Sequence, residues 1–225
     1  MSKVLFVLTS SKLDGCGGDA HAGFFLCELV HPYNKFVEAG AEVTICSVSG
    51  GACHAAAASL GDPFFDSECE AFWNSSKKAL TQETRALSEY KGTDFDTVFF
   101  VGGYGCCSDM TDSADVARIG AQAYEAGKMV AAVCHGPAAL INMKLSDGTP
   151  LVAGKTLCAF TNEEEEMMKI PLPSGTLEDG LKALGATFEK GEPWSTTVKQ
   201  SERLFTGQNP ASAGALAAAI LSSSA

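Results

Sequence analysis

The chain has 225 residues, 46% of them hydrophobic, and a formal net charge of −11. That length and apolar content are enough for one full core, so a single domain over 1–225 is expected. The acidic balance, without any cluster of Lys and Arg, excludes a nucleic-acid partner held through its phosphates, and no stretch approaches the ~18 consecutive apolar residues of a membrane span.

The first apolar run, residues 4–9, is too short for a secretory leader and predicts a cytoplasmic protein. Further runs rich in β-branched or aromatic residues predict strands at 4–8, 43–46, 97–101, 129–134 and 156–160. Helical periodicity predicts helices over 23–39, 114–126, 135–142, 177–184 and 211–221, three of them closed by Gly40, Gly127 and Gly185. This alternation is the pattern of βαβ units, and strands without polar alternation are covered on both faces. An α/β protein with a mostly parallel sheet follows. Residues 48–92 carry few strand signals and read as an excursion, loop plus a helix near 77–89. The acidic run from Glu163 to Glu166 reads as a solvated first helical turn. Gly207-Gln208-Asn209-Pro210 reads as a turn with Asn209 capping the last helix and Pro210 at its first position.

The nine cysteines are odd in number and none has C-x-x-C spacing, which fits free thiols in a reducing compartment rather than a metal or dithiol site. Most read as small buried hydrophobes. Cys134 is different. In AAVCHGPAAL, residues 131–140, a buried strand runs into Cys134 and a compact His135-Gly136-Pro137 that can start a helix. Ala132 and Gly136 take the small positions of a G-x-S-x-G elbow, with Cys134 as nucleophile. At a helix N-terminus the thiol would be biased toward thiolate and the local amides could hold an oxyanion. A core strand end has no need of an imidazole directly after the thiol; acid–base chemistry does.

AAVCHGPAAL, with KVLFVLTS near the start, FFVGG at 99–103, GKTLCAFTNEEEE at 154–166 and LFTGQNPAS at 204–212, resembles the PfpI and Parkinson-disease-protein-7 superfamily. The similarity covers essentially the whole chain and is nearest to the heat-shock-protein-31-like, glutathione-independent glyoxalase III branch. It implies a flavodoxin-like three-layer α/β/α sandwich of the class I glutamine-amidotransferase type, a homodimer, and a small reactive aldehyde such as methylglyoxal as substrate, with no metal or organic cofactor. By the same resemblance Glu28 is the carboxylate facing Cys134. Among Phe24, Phe25 and Leu29 its pKa should be raised, which suits a proton carrier. His135 is the partner beside the cysteine, and Glu165, or Glu164 one residue before it, completes a triad. Gly102 and Gly103 form the oxyanion loop. There Tyr104 stands where the family usually has His, and Cys106-Cys107 replace residues that commonly line the pocket. Tyr104 reads equally as a donor at the pocket rim or as a packing ring, and Cys106 and Cys107 as pocket walls. The implied reaction passes through a Cys134 hemithioacetal with Glu28 as proton shuttle and leads to lactate, with deglycase or stress-chaperone activity alongside. A cysteine amidase or peptidase, and a non-enzymatic holdase or thiol redox sensor, are the other two readings of the same nucleophile. Adjacent residues diverge at an elbow, which weighs against direct Cys134–His135 pairing.

Overall fold

Val4, Phe6 and Leu8 of the first strand pack into one apolar cluster while Leu5 and Val7 pack into another. A strand whose successive side chains enter two different cores must lie inside a three-layer sandwich. The structure, a computed structural model, describes residues 1–12, 18–172 and 175–223, so Cys16 lies outside the described residues. In chain order the elements begin with β1 (Lys3–Leu8), α1 (Gly18–His21), α2 (Leu26–Glu38), β2 (Glu42–Ser47), α3 (Ser67–Trp73), α4 (Ala79–Gln82), β3 (Arg85–Ala86), β4 (Thr97–Phe100) and α5 (Cys106–Asp109). They continue with α6 (Ala114–Glu125), β5 (Met129–Val133), β6 (Thr156–Leu157), α7 (Asn162–Met168), α8 (Leu177–Ala183), β7 (Thr187–Phe188), β8 (Val198–Ser201), β9 (Leu204–Gly207) and α9 (Ala213–Ser223).

The central sheet runs β3-β2-β1-β4-β5-β9-β8, parallel throughout except for β8, which pairs antiparallel to β9. One face is covered by α2, α3 and α9 through Leu26, Leu29, Val30, Phe72, Leu216 and Ile220. The other is covered by α6 and the segment after β5, through Val116, Ile119, Ala123, Ala138 and Leu140. The strand order reverses at β1, with β2 on one side and β4 on the other, and open sheets bind ligands beyond the carboxyl ends of strands at such a point.

The structure changes several expected elements. Residues 156–160 do not join the main sheet: only Thr156 and Leu157 are strand, paired with β7 in a separate two-stranded sheet. The place beside β5 is taken by β9, with β8 beyond it at the edge; neither carries a strong strand pattern, because β8 is a polar edge strand and β9 has only four residues. The helix expected near 77–89 stops at Gln82, and the chain turns to lay Arg85 and Ala86 against β2. The helix expected over 135–142 is a 3₁₀ turn, Gly136–Leu140, with Pro137 near its start.

Candidate active site

Cys134 sits directly after β5 with φ 60°, in the left-handed region that non-glycine residues rarely occupy. Two hydrogen bonds hold it there: its amide donates to the Gly207 carbonyl at 2.9 Å, and its carbonyl accepts from Phe160 at 3.0 Å. Gly136 is required just beyond, since a Cβ there would lie 2.4 Å from the Phe100 carbonyl oxygen. The left-handed turn brings adjacent side chains together. Cys134 Sγ lies 3.3 Å from His135 Nδ1, so the divergence expected of neighbouring residues does not occur.

His135 is fully buried, and its Nε2 lies 2.7 Å from Glu165 Oε1. The other carboxylate oxygen, Oε2, accepts from the Tyr104 hydroxyl at 2.8 Å, and the Tyr104 ring stacks on the imidazole at 4.0 Å between centroids. Tyr104 is thus both donor and packing ring. With Glu165 accepting at Nε2, the imidazole carries its proton there and presents Nδ1 as an acceptor to the thiol. Cys134, His135, Glu165 and Tyr104 form one line of polar contacts.

Glu164 has a different place. Its Oε2 accepts from the amide and hydroxyl of Thr161, closing a capping box at the start of α7, and its Oε1 accepts from the Trp194 amide and from Gln208 and Asn209. The T-x-x-E spacing at 161–164 carries this signal in the sequence and assigns Glu164 to the cap, leaving Glu165 for His135. The acidic run is therefore not a solvated turn: both Glu164 and Glu165 are buried. Nor does the Asn209 side chain cap the last helix. Pro210 opens a 3₁₀ turn leading into α9, while Asn209 Nδ2 donates to Glu164 and to the Ser195 carbonyl.

Glu28 lies on the first turn of α2, fully buried, and neither carboxylate oxygen has a hydrogen-bond partner among the described residues. Burial pushes its pKa up to about 8; the neighbouring Cys134 thiol and Gly102 amide offset this in part. Its closeness to the thiol is visible at Gly102, where a Cβ would stand 2.3 Å from Glu28 Oε2 and 2.9 Å from Cys134 Cβ. Gly103 has φ 115°, and a Cβ there would lie 2.5 Å from the Gly23 carbonyl oxygen. The glycine pair is thus what lets β4, α2 and the elbow meet. Neither the Gly103 nor the His135 amide is taken by a backbone carbonyl among the described residues.

The Cys134 thiol is not biased toward thiolate. Burial and, next, the adjacent Glu28 carboxyl raise its pKa well above the usual 9.0, and the His135 amide offsets this only in part. The expected helix-terminus effect fails because the following segment is a short 3₁₀ turn and the thiol is buried.

The thiol opens onto a cavity of about 70 Å³ walled by Phe25, Phe64, Phe160, Met168 and Trp194, with Gly103, Tyr104 and His135 at its floor. These apolar walls carried no sequence signal, because they come from five separate segments. Ala58, in the alanine run at 55–58, is a further wall. Cys106 and Cys107 are not walls. Cys106 Sγ donates to the Val101 carbonyl, and Cys107 borders a different cavity with Ile141 and Leu172. Asp109 pins the end of β1, accepting from Thr9 Oγ1 and the Ser10 amide, and burial pushes its carboxyl up to about 6.

Residues 20–223 match the DJ-1/PfpI family. The chain is 30% identical over 224 residues to the glutathione-independent glyoxalase HSP31 of Saccharomyces cerevisiae, covering 94% of this chain and 93% of that one. Among solved structures it is similar to the Rapid Encystment Protein 24 KDa of Francisella tularensis, at 30% identity with a TM-score of 0.92 over 99% of each chain. It is also similar to glyoxalase III of Candida albicans, at 27% identity with a TM-score of 0.88 over 98% of this chain and 96% of that one.

Proposed function

The chain belongs to the DJ-1/PfpI family, and on that premise we propose that it is a glutathione-independent glyoxalase III that converts methylglyoxal to lactate. The observation that carries this reading is the fully buried Glu28 carboxyl beside the elbow thiol, with no ion-pair partner among the described residues and only the Cys134 thiol and the Gly102 amide next to it. A buried carboxyl with no cation to balance it costs stability and calls for a functional explanation; moving a proton on a bound substrate supplies one.

The Cys134 thiol gives its proton to His135 Nδ1, and the sulfur adds to the aldehyde carbon to form a hemithioacetal. The amides of Gly103 and His135 would hold the developing oxyanion, which takes the proton of the Glu28 carboxyl and leaves that group as a carboxylate. Glu28 removes the hydrogen on the former aldehyde carbon, giving an enediol, and returns a proton to the adjacent carbon. The product of that transfer is a lactoyl thioester on Cys134. Water cleaves it, the C–S bond breaks, lactate leaves and the thiol is restored. Glu165, held by Tyr104, keeps His135 in the accepting tautomer. No step calls on a metal or organic cofactor. The same reading includes a homodimer in the cytoplasm, with the small aldehyde as partner.

The direct test is lactate formation from methylglyoxal with purified protein and no glutathione. Lactate from the wild type and none from Cys134→Ala is expected; a wild type that makes no lactate, or a variant that matches it, ends this reading.

The 3.3 Å Cys134–His135 contact, continued to Glu165, also favours a cysteine amidase or peptidase. Acyl transfer has no use for Glu28, so Glu28→Gln separates the two: it stops the glyoxalase and spares a hydrolase. The raised thiol pKa weakens the redox-sensor reading, since oxidation follows thiolate character.

A further inference from the structure

The cavity over Cys134 is small, but it does not end at its mouth. A second cavity of about 490 Å³, bordered by Pro63, Phe64, Met168, Trp194, Pro210 and Ala211, shares Phe64, Met168, Trp194 and Pro210 with it. Four shared residues set the two side by side as the inner and outer parts of an apolar groove. Resting on the glyoxalase reading, we propose that this groove is part of the substrate site and that the enzyme prefers 2-oxoaldehydes with a bulky apolar substituent, such as an aryl group, over methylglyoxal.

The walls at the junction are fixed from behind. Trp194 holds φ 63°, a left-handed conformation that costs free energy in a bulky residue, and its amide is anchored to buried Glu164 at 2.8 Å. Its ring meets Phe160 edge-on at 5.5 Å, and it remains 38% exposed toward the outer cavity. Opposite, Phe64 packs edge-on against Phe25 at 5.0 Å. A preorganised aromatic gap of this kind binds a flat apolar group without the cost of ordering its walls. Among the described residues no Lys or Arg borders either cavity, and burial lowers the pKa of His21 at the inner one, so no fixed positive charge there selects an anionic substituent. The methyl group of methylglyoxal is accommodated within the inner cavity and makes no use of the outer one.

The test compares kcat/KM for methylglyoxal and phenylglyoxal in the wild type and in A211D. Ala211 borders only the outer cavity, and its substitution puts a charge there without touching the nucleophile pocket. The wild type should favour phenylglyoxal on the order of tenfold, the low end of what added apolar contact contributes in a formed pocket. A211D should lose that preference and keep methylglyoxal turnover within about twofold of wild type. Equal kcat/KM for the two aldehydes, or a variant that slows both alike, overturns the proposal.

Alkylation of Cys134 by phenacyl chloride and by chloroacetone, each rate normalised to that of free cysteine, reads the groove without turnover. Sulfur displaces chloride in both cases, so only the aryl group differs. Faster normalised labelling by the phenacyl reagent, abolished in A211D, supports the groove even if neither aldehyde is consumed; the failure would then belong to the glyoxalase reading alone. Equal normalised rates overturn the groove. A change of oligomeric mass in A211D, read by light scattering, would mark the face as a contact between copies and also overturn it.

Discussion

Glu28 titrates in a window set by its burial. Its folded-state pKa of about 8 lies above the ordinary 4.5, so its protonated form favours the fold. That contribution is full below the unfolded value and is lost as pH rises through about 8. The unfolding free energy of the wild type should therefore fall relative to Glu28→Gln between pH 5 and 8, by at most about 1.4 kcal/mol per pH unit, read by denaturant titration at each pH. A constant difference across that range would show that the carboxyl titrates normally. The same charge raises the Cys134 thiol, so Glu28→Gln should shift the pH profile of iodoacetamide labelling at Cys134 to lower pH. An unmoved profile would mean that burial alone sets the thiol.

At the scale of elements, the site depends on how closely backbone segments approach. Gly102→Ala places a methyl group within 2.3 Å of Glu28 and 2.4 Å of the Val133 carbonyl, so either β4 or the elbow must shift. Loss of activity with a stability cost of roughly 1–3 kcal/mol is expected, read by lactate assay and thermal melting. The two glutamates of α7 separate by role. Glu164→Gln disrupts the contacts tying α7 to the Trp194 and Asn209 loops and should cost roughly 2 kcal/mol or more of stability. Tyr104→Phe keeps the ring over His135 but removes the hydrogen bond to Glu165, so kcat should fall about tenfold with little change in melting temperature. If Tyr104→Phe lowers the melting temperature markedly and leaves kcat intact, the assignment is reversed.

For the whole molecule, the three-layer architecture decides which thiols can react. Cys27, Cys46, Cys69 and Cys158 are buried, and burial pushes each thiol up. Burial raises the Cys134 thiol as well, so access alone separates it: in native protein at alkaline pH the four should resist iodoacetamide while Cys134, which opens onto a cavity, is labelled. Peptide mass spectrometry across a guanidinium titration checks this: the four should become labelled together with global unfolding. Labelling of Cys69 before that transition would show that α3 opens on its own.

The sequence by itself determined a doubly covered sheet and pointed to a turn at Cys134. Apolar runs without polar alternation demanded a doubly covered sheet, and the small-residue spacing around Cys134 demanded an elbow, because both are local consequences of side-chain pattern. Glu28 and His135 were legible through the family resemblance of their segments, and the T-x-x-E cap contained the information that separates Glu164 from Glu165. What only the tertiary structure decided depends on segments distant in the chain. The place of β9 beside β5, the left-handed turn that brings Cys134 to His135, the Tyr104–Glu165 contact and the aromatic groove all arise from such packing. The Cys134 thiol shows the division most clearly. Read locally, it lies at a helix start and should ionise readily; in the folded chain, burial and the adjacent Glu28 outweigh that short turn and keep its proton on.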